Sequence, residues 1–113
     1  MNISNEEFEN TGFYYTMSLI SGKYKMIIIY LLANRAMRYN ELKRTIKNIS
    51  FQSLTRTLKE LEDDGLLQRK DYNENPPKVE YSLTEKADTL IPILNQLCNW
   101  GENNKENVTH IFK

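Results

Sequence analysis

The sequence predicts a mainly α-helical fold carrying one small β-hairpin, an α+β chain. Three observations predict it. Apolar residues recur at helical spacing up to residue 34. A short helix and a longer, capped amphipathic helix follow within 39–65, separated by a tight polar turn. Two alternating segments then flank an Asn/Pro turn within 66–83 and lead straight into a last amphipathic helix. Helix, turn, helix and hairpin in that order make a winged helix-turn-helix. At 113 residues one core is large enough to fold without a disulfide or a structural metal. The expected division of this single domain (1–113) is an arm (1–10), a helix (11–34), the helix-turn-helix (39–65), a wing (66–83), a C-terminal helix (84–103) and a tail (104–113).

Residues 1–10 are polar and acidic, with Ile3 and Phe8 the large apolar groups after Met1. They read as a frayed arm or as a short helix that packs on a partner subunit. From Thr16 to Asn34, Met17, Ile20, Tyr24, Ile27, Ile28 and Leu31 form one broad stripe. Gly22 interrupts it at about 1 kcal/mol relative to Ala. Met37–Tyr39 is long enough only for a brief strand. Asn40 is placed to cap the next helix, with Glu41 in its first turn. That helix runs to about Lys47, turning Leu42 and Ile46 inward and Lys43, Arg44 and Lys47 outward.

Asn48 ends it, and Ser50 is the next N-cap. Ile49 and Leu54 occupy the two positions of a hydrophobic staple. Leu54, Leu58 and Leu61 make the buried stripe, and Gly65 fits the left-handed residue beyond a helix end, with Leu66 folding back on the last turn. A strand over Leu67–Tyr72, the connection Asn73–Pro77 and a return strand over Lys78–Leu83 form the hairpin. Val79, Tyr81 and Leu83 alternate there with polar neighbours. Thr84 caps a final helix to about Asn103, with Ala87, Leu90, Ile91, Leu94, Leu97 and Cys98 on one face and a kink expected near Pro92.

Charge narrows the function. The chain is neutral overall, yet residues 21–70 hold eleven Lys/Arg against five acids. Such asymmetry can build one positive face. The second helix of the pair leaves Phe51, Gln52, Ser53, Thr55, Arg56 and Lys59 outside its leucine stripe. Gln suits adenine, Arg suits guanine, Ser and Thr suit base edges or phosphates, and Phe51 suits a thymine methyl. Arg38 just before the preceding helix, Asn40 at its cap, Lys43 and Arg44 on it, and Arg69, Lys70 and Lys78 around the hairpin suit the phosphate backbone. Double-stranded DNA is the partner these residue types fit. The alternative is a winged-helix protein-interaction module docking an acidic partner. Phe8, Phe13, Tyr14, Met17, Leu94, Leu97 and Trp100 are candidates for a homodimer interface, against the alternative that they cover the chain's own core.

Other functions find little support. The most apolar run, Met26–Ala33, is eight residues, whereas a membrane span needs about 20. No membrane role is expected. The single cysteine, Cys98, cannot form an intramolecular bridge, which with the lack of a signal-like segment suits a reducing cytoplasm. On an apolar helix face it reads as an inert buried thiol. One His (His110) and one Cys do not make a metal site. With no nucleophile motif, phosphate loop or carboxylate dyad, neither an enzyme nor a cofactor is expected.

The chain also resembles the HxlR-type regulators, a branch of the MarR-like winged-helix proteins. The resemblance lies in Ile20-Ser-Gly-Lys-Tyr24, Arg38-Tyr-Asn-Glu-Leu42, Ile49-Ser50, Leu54-Thr-Arg-Thr-Leu-Lys-Glu-Leu61, Asp64-Gly-Leu66, Pro76-Pro-Lys-Val-Glu-Tyr-Ser-Leu-Thr84 and Trp100-Gly101. It implies a homodimeric transcription regulator that binds an inverted-repeat operator and dimerises through its N- and C-terminal helices. Members that sense oxidants carry a cysteine about a dozen residues before the lysine of the first word. This chain has Thr11 and Gly12 there, so the resemblance does not imply that sensing mechanism.

Overall fold

The structure, a computed structural model, describes residues 2–108. Its elements are α1 (Asn5–Glu9), α2 (Gly12–Ile20), α3 (Lys25–Asn34), β1 (Met37–Arg38), α4 (Tyr39–Thr45), α5 (Phe51–Asp63), β2 (Leu67–Asp71), β3 (Val79–Leu83) and α6 (Glu85–Asn104). The three strands form one antiparallel sheet in the order β1-β3-β2. The expected mainly helical chain with a small sheet is what forms. The end of the expected tail, with His110, lies outside the described residues.

The arm is a helix. Ser4 caps α1 by accepting the Glu7 N–H at 3.1 Å, while Glu7 reaches back to the Ser4 N–H at 3.3 Å. Thr11 caps α2 in the same way, accepting the Tyr14 N–H at 3.1 Å.

The single helix expected over 11–34 is two helices. The chain turns by 79° between α2 and α3. Gly22 sits at φ +135°, a conformation that side-chain-bearing residues rarely adopt. The turn breaks the expected stripe, because the 3.6-residue register is not carried across it. Each helix buries its own set, Leu19 and Ile20 from α2 and Ile28, Ile29 and Leu32 from α3. Met17 and Ile27 are left exposed.

The start of α4 also differs from expectation. Asn40 is inside the helix, and the cap position is Arg38. The Glu41 carboxylate accepts the Arg38 N–H at 3.1 Å and the Arg35 guanidinium at 2.9 Å. Both bonds favour the charged form, the backbone bond most, and hold the Glu41 carboxyl below the ordinary carboxylate range. α4 ends at Thr45, two residues before Lys47.

From Ser50 onward the chain follows its local signals. Ser50 Oγ accepts the Ser53 N–H at 3.0 Å. Leu54, Leu58 and Leu61 are buried, together with Ile49 and Thr57. Burying each leucine stabilises the helix's seat by about 1.5–3 kcal/mol. At the other end Gly65 takes φ +76°. The Gly65 N–H bonds the Glu62 carbonyl and the Leu66 N–H bonds the Leu61 carbonyl, both at 2.9 Å. This pair of bonds is a Schellman motif, closed by the buried Leu61 and Leu66.

Thr84 joins the hairpin to that end of α5. Its N–H donates to the Leu66 carbonyl and its hydroxyl to the Gly65 carbonyl, at 3.1 and 2.6 Å. The same hydroxyl accepts the Ala87 N–H and caps α6. α6 continues through Pro92 and buries Ala87, Leu90 and Leu94. Leu94 is only 1% exposed and belongs to the chain's own core, so its assignment to a subunit interface is wrong. It follows Ala87 and Leu90 at steps of three and four and so shares their face. Cys98 is half-buried against the same core.

Candidate nucleic-acid interface

The buried residues of α5 fix what the helix shows to solvent. Residues 54, 57, 58 and 61 point inward, so the opposite side is centred on Gln52, Arg56 and Lys59. All three are exposed. Among the described residues, the ion pairs of Arg56 and Lys59 are the i,i+4 contacts with Glu60 (3.9 Å) and Asp63 (3.4 Å). Exposed pairs of this kind are worth about 0.3–0.5 kcal/mol, so both cations detach at small cost.

The remaining expected residues of α5 lie on its flanks. Phe51 is exposed, but its ring stacks on Tyr39 with centroids 6.2 Å apart and planes 6° from parallel. The Lys43 ammonium stands 4.7 Å from the Phe51 centroid. The Tyr39 hydroxyl lies 2.8 Å from the Thr55 hydroxyl and donates to the Phe51 carbonyl at 3.2 Å. Phe51, Thr55 and Lys43 therefore form one α4-side flank. Ser53 is half-exposed on the other flank, beside the turn between α2 and α3.

Arg38, Asn40 and Arg44 are exposed and line a groove with Pro77, Val79 and Glu80 of the hairpin. The hairpin divides its own cations. Arg38, Glu80 and Lys70 are neighbours across the sheet, as are Met37, Tyr81 and Arg69. Lys70 and Arg38 thus share the outer face, while Arg69 lies on the core-side face at the edge strand. The lysines meet at Tyr72, whose ring has the Lys70 ammonium 4.6 Å and the Lys78 ammonium 4.4 Å from its centroid. The Tyr72 hydroxyl donates to Glu80 at 2.6 Å. That bond, with some burial, pushes the phenol above its usual range.

The arrangement is a helix with an amide and two loosely held cations outward, bordered by cations of α4 and the hairpin. Residues 19–109 match the HxlR-like helix-turn-helix family. The chain belongs to that family.

Similar proteins agree with this HxlR-like assignment. The uncharacterized HTH-type transcriptional regulator BH0655 of Halalkalibacterium halodurans is 56% identical, over 90% of this chain and 91% of the relative. A structure described as a MarR-family transcriptional regulator of Enterococcus faecalis V583 superposes with a TM-score of 0.80 at 36% identity, covering 92% of this chain and 91% of that one. The redox regulator HypR in its reduced form superposes with a TM-score of 0.79 at 43% identity, covering 85% and 95%. The protein is a DNA-binding transcription regulator with a winged-helix fold and is not an enzyme. Among the described residues, no single helix is long and apolar enough to cross a membrane.

Three residues of this HxlR-like regulator were not singled out by sequence reasoning. Tyr39 stacks on Phe51, the ring beneath Lys43, Tyr72 lies beneath Lys70 and Lys78, and Glu80 ties Tyr72 to the sheet. A tyrosine two residues after Lys70 and, once the hairpin closes, opposite Lys78 was the available signal for Tyr72. Tyr39 had none, because its partners Phe51 and Thr55 are brought to it only by the angle between α4 and α5.

Proposed function

We propose that the chain works as one domain, in a homodimer on an inverted-repeat operator in the cytoplasm. Each protomer puts the first turns of α5 into a major groove. Gln52 and Arg56 read base edges, Lys59 follows the groove, and Ser53 and Thr55 bond at its sides. Phe51 borders the contact, within reach of a thymine methyl. Arg38, Asn40, Lys43 and Arg44 meet phosphates beside the groove. Lys70 and Lys78 do so from the outer face of the wing and Arg69 from its edge. The observation that carries this reading is the outward row of Gln52, Arg56 and Lys59 on a helix seated by its buried leucines.

The homodimer is supported by apolar groups that the protomer leaves in water. Phe13 is 66% and Trp100 69% exposed, and Phe8, Tyr14, Met17, Ile93 and Leu97 are exposed as well. Phe8 already contacts Phe13 and Tyr14, with ring centroids 6.2 and 5.9 Å away. The Phe8, Phe13 and Tyr14 rings make a contiguous exposed apolar surface, and such surface marks an interface. A two-fold pairing would present two α5 helices to grooves about 34 Å apart.

The test is fluorescence anisotropy with the duplex flanking the chain's own gene, with and without competitor DNA, beside sedimentation equilibrium. Sequence-selective binding by a dimer is expected, and Trp100→Ser should shift the protein toward monomer and weaken operator binding with it. A purified protein indifferent to every duplex at low ionic strength overturns the reading. A monomer that binds operator as tightly as the parent overturns the dimer.

A further inference from the structure

A helix lying in a major groove has a phosphate ridge on each side, because the groove is only about 12 Å wide. The α4 cations border α5 on one side, where Tyr39 holds Phe51 and Thr55. The other side is formed by Ser53, Arg56, Thr57 and Glu60. The segment facing it is Ser21–Lys25, the turn between α2 and α3 with the first residue of α3, and the two enclose a cleft of about 340 Å³.

The turn is fastened there. Lys25 is largely enclosed, its side chain 12% exposed, and its ammonium lies 3.6 Å from the Glu60 carboxylate while donating to the Ser18 carbonyl at 3.2 Å. Glu60 is the acid on this flank, and Lys25 and Arg56 both stand against it. Its repulsion toward a phosphate is therefore offset. Tyr24 packs against the core, and Gly22 gives the chain its reversal. Lys23 projects from this anchored turn. It is exposed, has the Tyr24 ring 5.3 Å from its ammonium, and makes no ion pair among the described residues.

We propose that the Ser21–Lys25 turn is a further DNA-backbone contact, meeting the phosphate ridge opposite the α4 side, with Lys23 as its charged group and Lys25 as the residue that positions it. The proposal rests on α5 being the groove-entering helix and adds the second border of that contact. A phosphate contact carries no base information, so Lys23 contributes to affinity and not to sequence choice.

The experiment measures binding of the full-length protein to the promoter-flanking duplex and to an unrelated duplex across a salt series. Parent, Lys23→Ala, Lys23→Arg and Lys70→Ala are compared. For Lys23→Ala the slope of log K against log salt should fall by about 0.9 per contact. The parent's advantage should shrink about three- to fourfold per contact between about 50 and about 200 mM salt. The loss should be equal on both duplexes, and Lys23→Arg should restore it. Thermal unfolding of Lys23→Ala should match the parent, because the side chain is exposed. A Lys23→Ala protein with the parent's slope and affinity, beside a Lys70→Ala protein that has lost slope, overturns the turn contact and leaves the reading of α5 intact. A parent that binds neither duplex at low salt overturns both.

Discussion

Arg56→Ala separates what α5 does for the fold from what it does for DNA. The side chain is 69% exposed and, among the described residues, its ion pair is the 3.9 Å contact with Glu60. Losing that pair costs about 0.3–0.5 kcal/mol. Alanine is the better helix former by up to a few tenths of a kcal/mol, which offsets part of the loss. Stability should therefore stay within about 0.5 kcal/mol of the parent, measured by urea unfolding. Operator affinity should behave differently. Removing a guanidinium that reads a guanine edge costs about 1–3 kcal/mol per half-site, roughly a 5- to 150-fold loss. The loss should vanish on an operator whose matching base pair has been changed, because that contact is then absent from both proteins. Anisotropy titrations on the original and altered duplexes measure both quantities. Equal affinity of parent and variant for the operator would refute the placement of Arg56. A uniform loss on all duplexes would make Arg56 a phosphate contact instead.

Two further perturbations test the borders of the contact. Glu41→Gln weakens the bonds that begin α4. The folded carboxyl is held below its ordinary range, so its stabilisation is full at neutral pH and disappears as acid titrates it. The parent should be more stable than the variant at pH 7, and the gap should close as pH falls below about 4, near and then below the ordinary glutamate value. A gap that persists in acid would contradict the assignment. Tyr72→Leu removes the ring between Lys70 and Lys78 and should weaken all duplexes several-fold, whereas Tyr72→Phe keeps the ring and most of the affinity. Absorbance titration should show Tyr72→Phe lacking one phenol that ionises above about 10, the ordinary tyrosine value. Selective loss at one base pair would show that the wing reads sequence.

Much of the site was legible because its signals are local. Ser50, the leucines at 54, 58 and 61, and Gly65 each act within a turn or two of themselves, and α5 forms with those caps and that buried stripe. The alternation of Val79, Tyr81 and Leu83 likewise located β3. The failures lie where local rules competed. Gly22 read as a tolerated interruption, because a period count cannot register a positive φ. Asn40 read as a cap because its side chain suits one, but the Glu41 carboxylate took the Arg38 N–H instead. Leu94 and Leu97 share an apolar pattern, and the core covers only the first.

Sequence alone determined which segments are amphipathic, where α5 starts and stops and where α6 starts, and that an amide and cations stand opposite the leucines of 50–65. Those properties depend on neighbours within about one helical turn. The tertiary structure alone decided what lies beside α5: Tyr39 against Phe51 and Thr55, the Ser21–Lys25 turn against Ser53 and Glu60, and two lysines on one tyrosine. These contacts depend on the angles at which separate elements meet, and those angles are set by how the whole core fills its space.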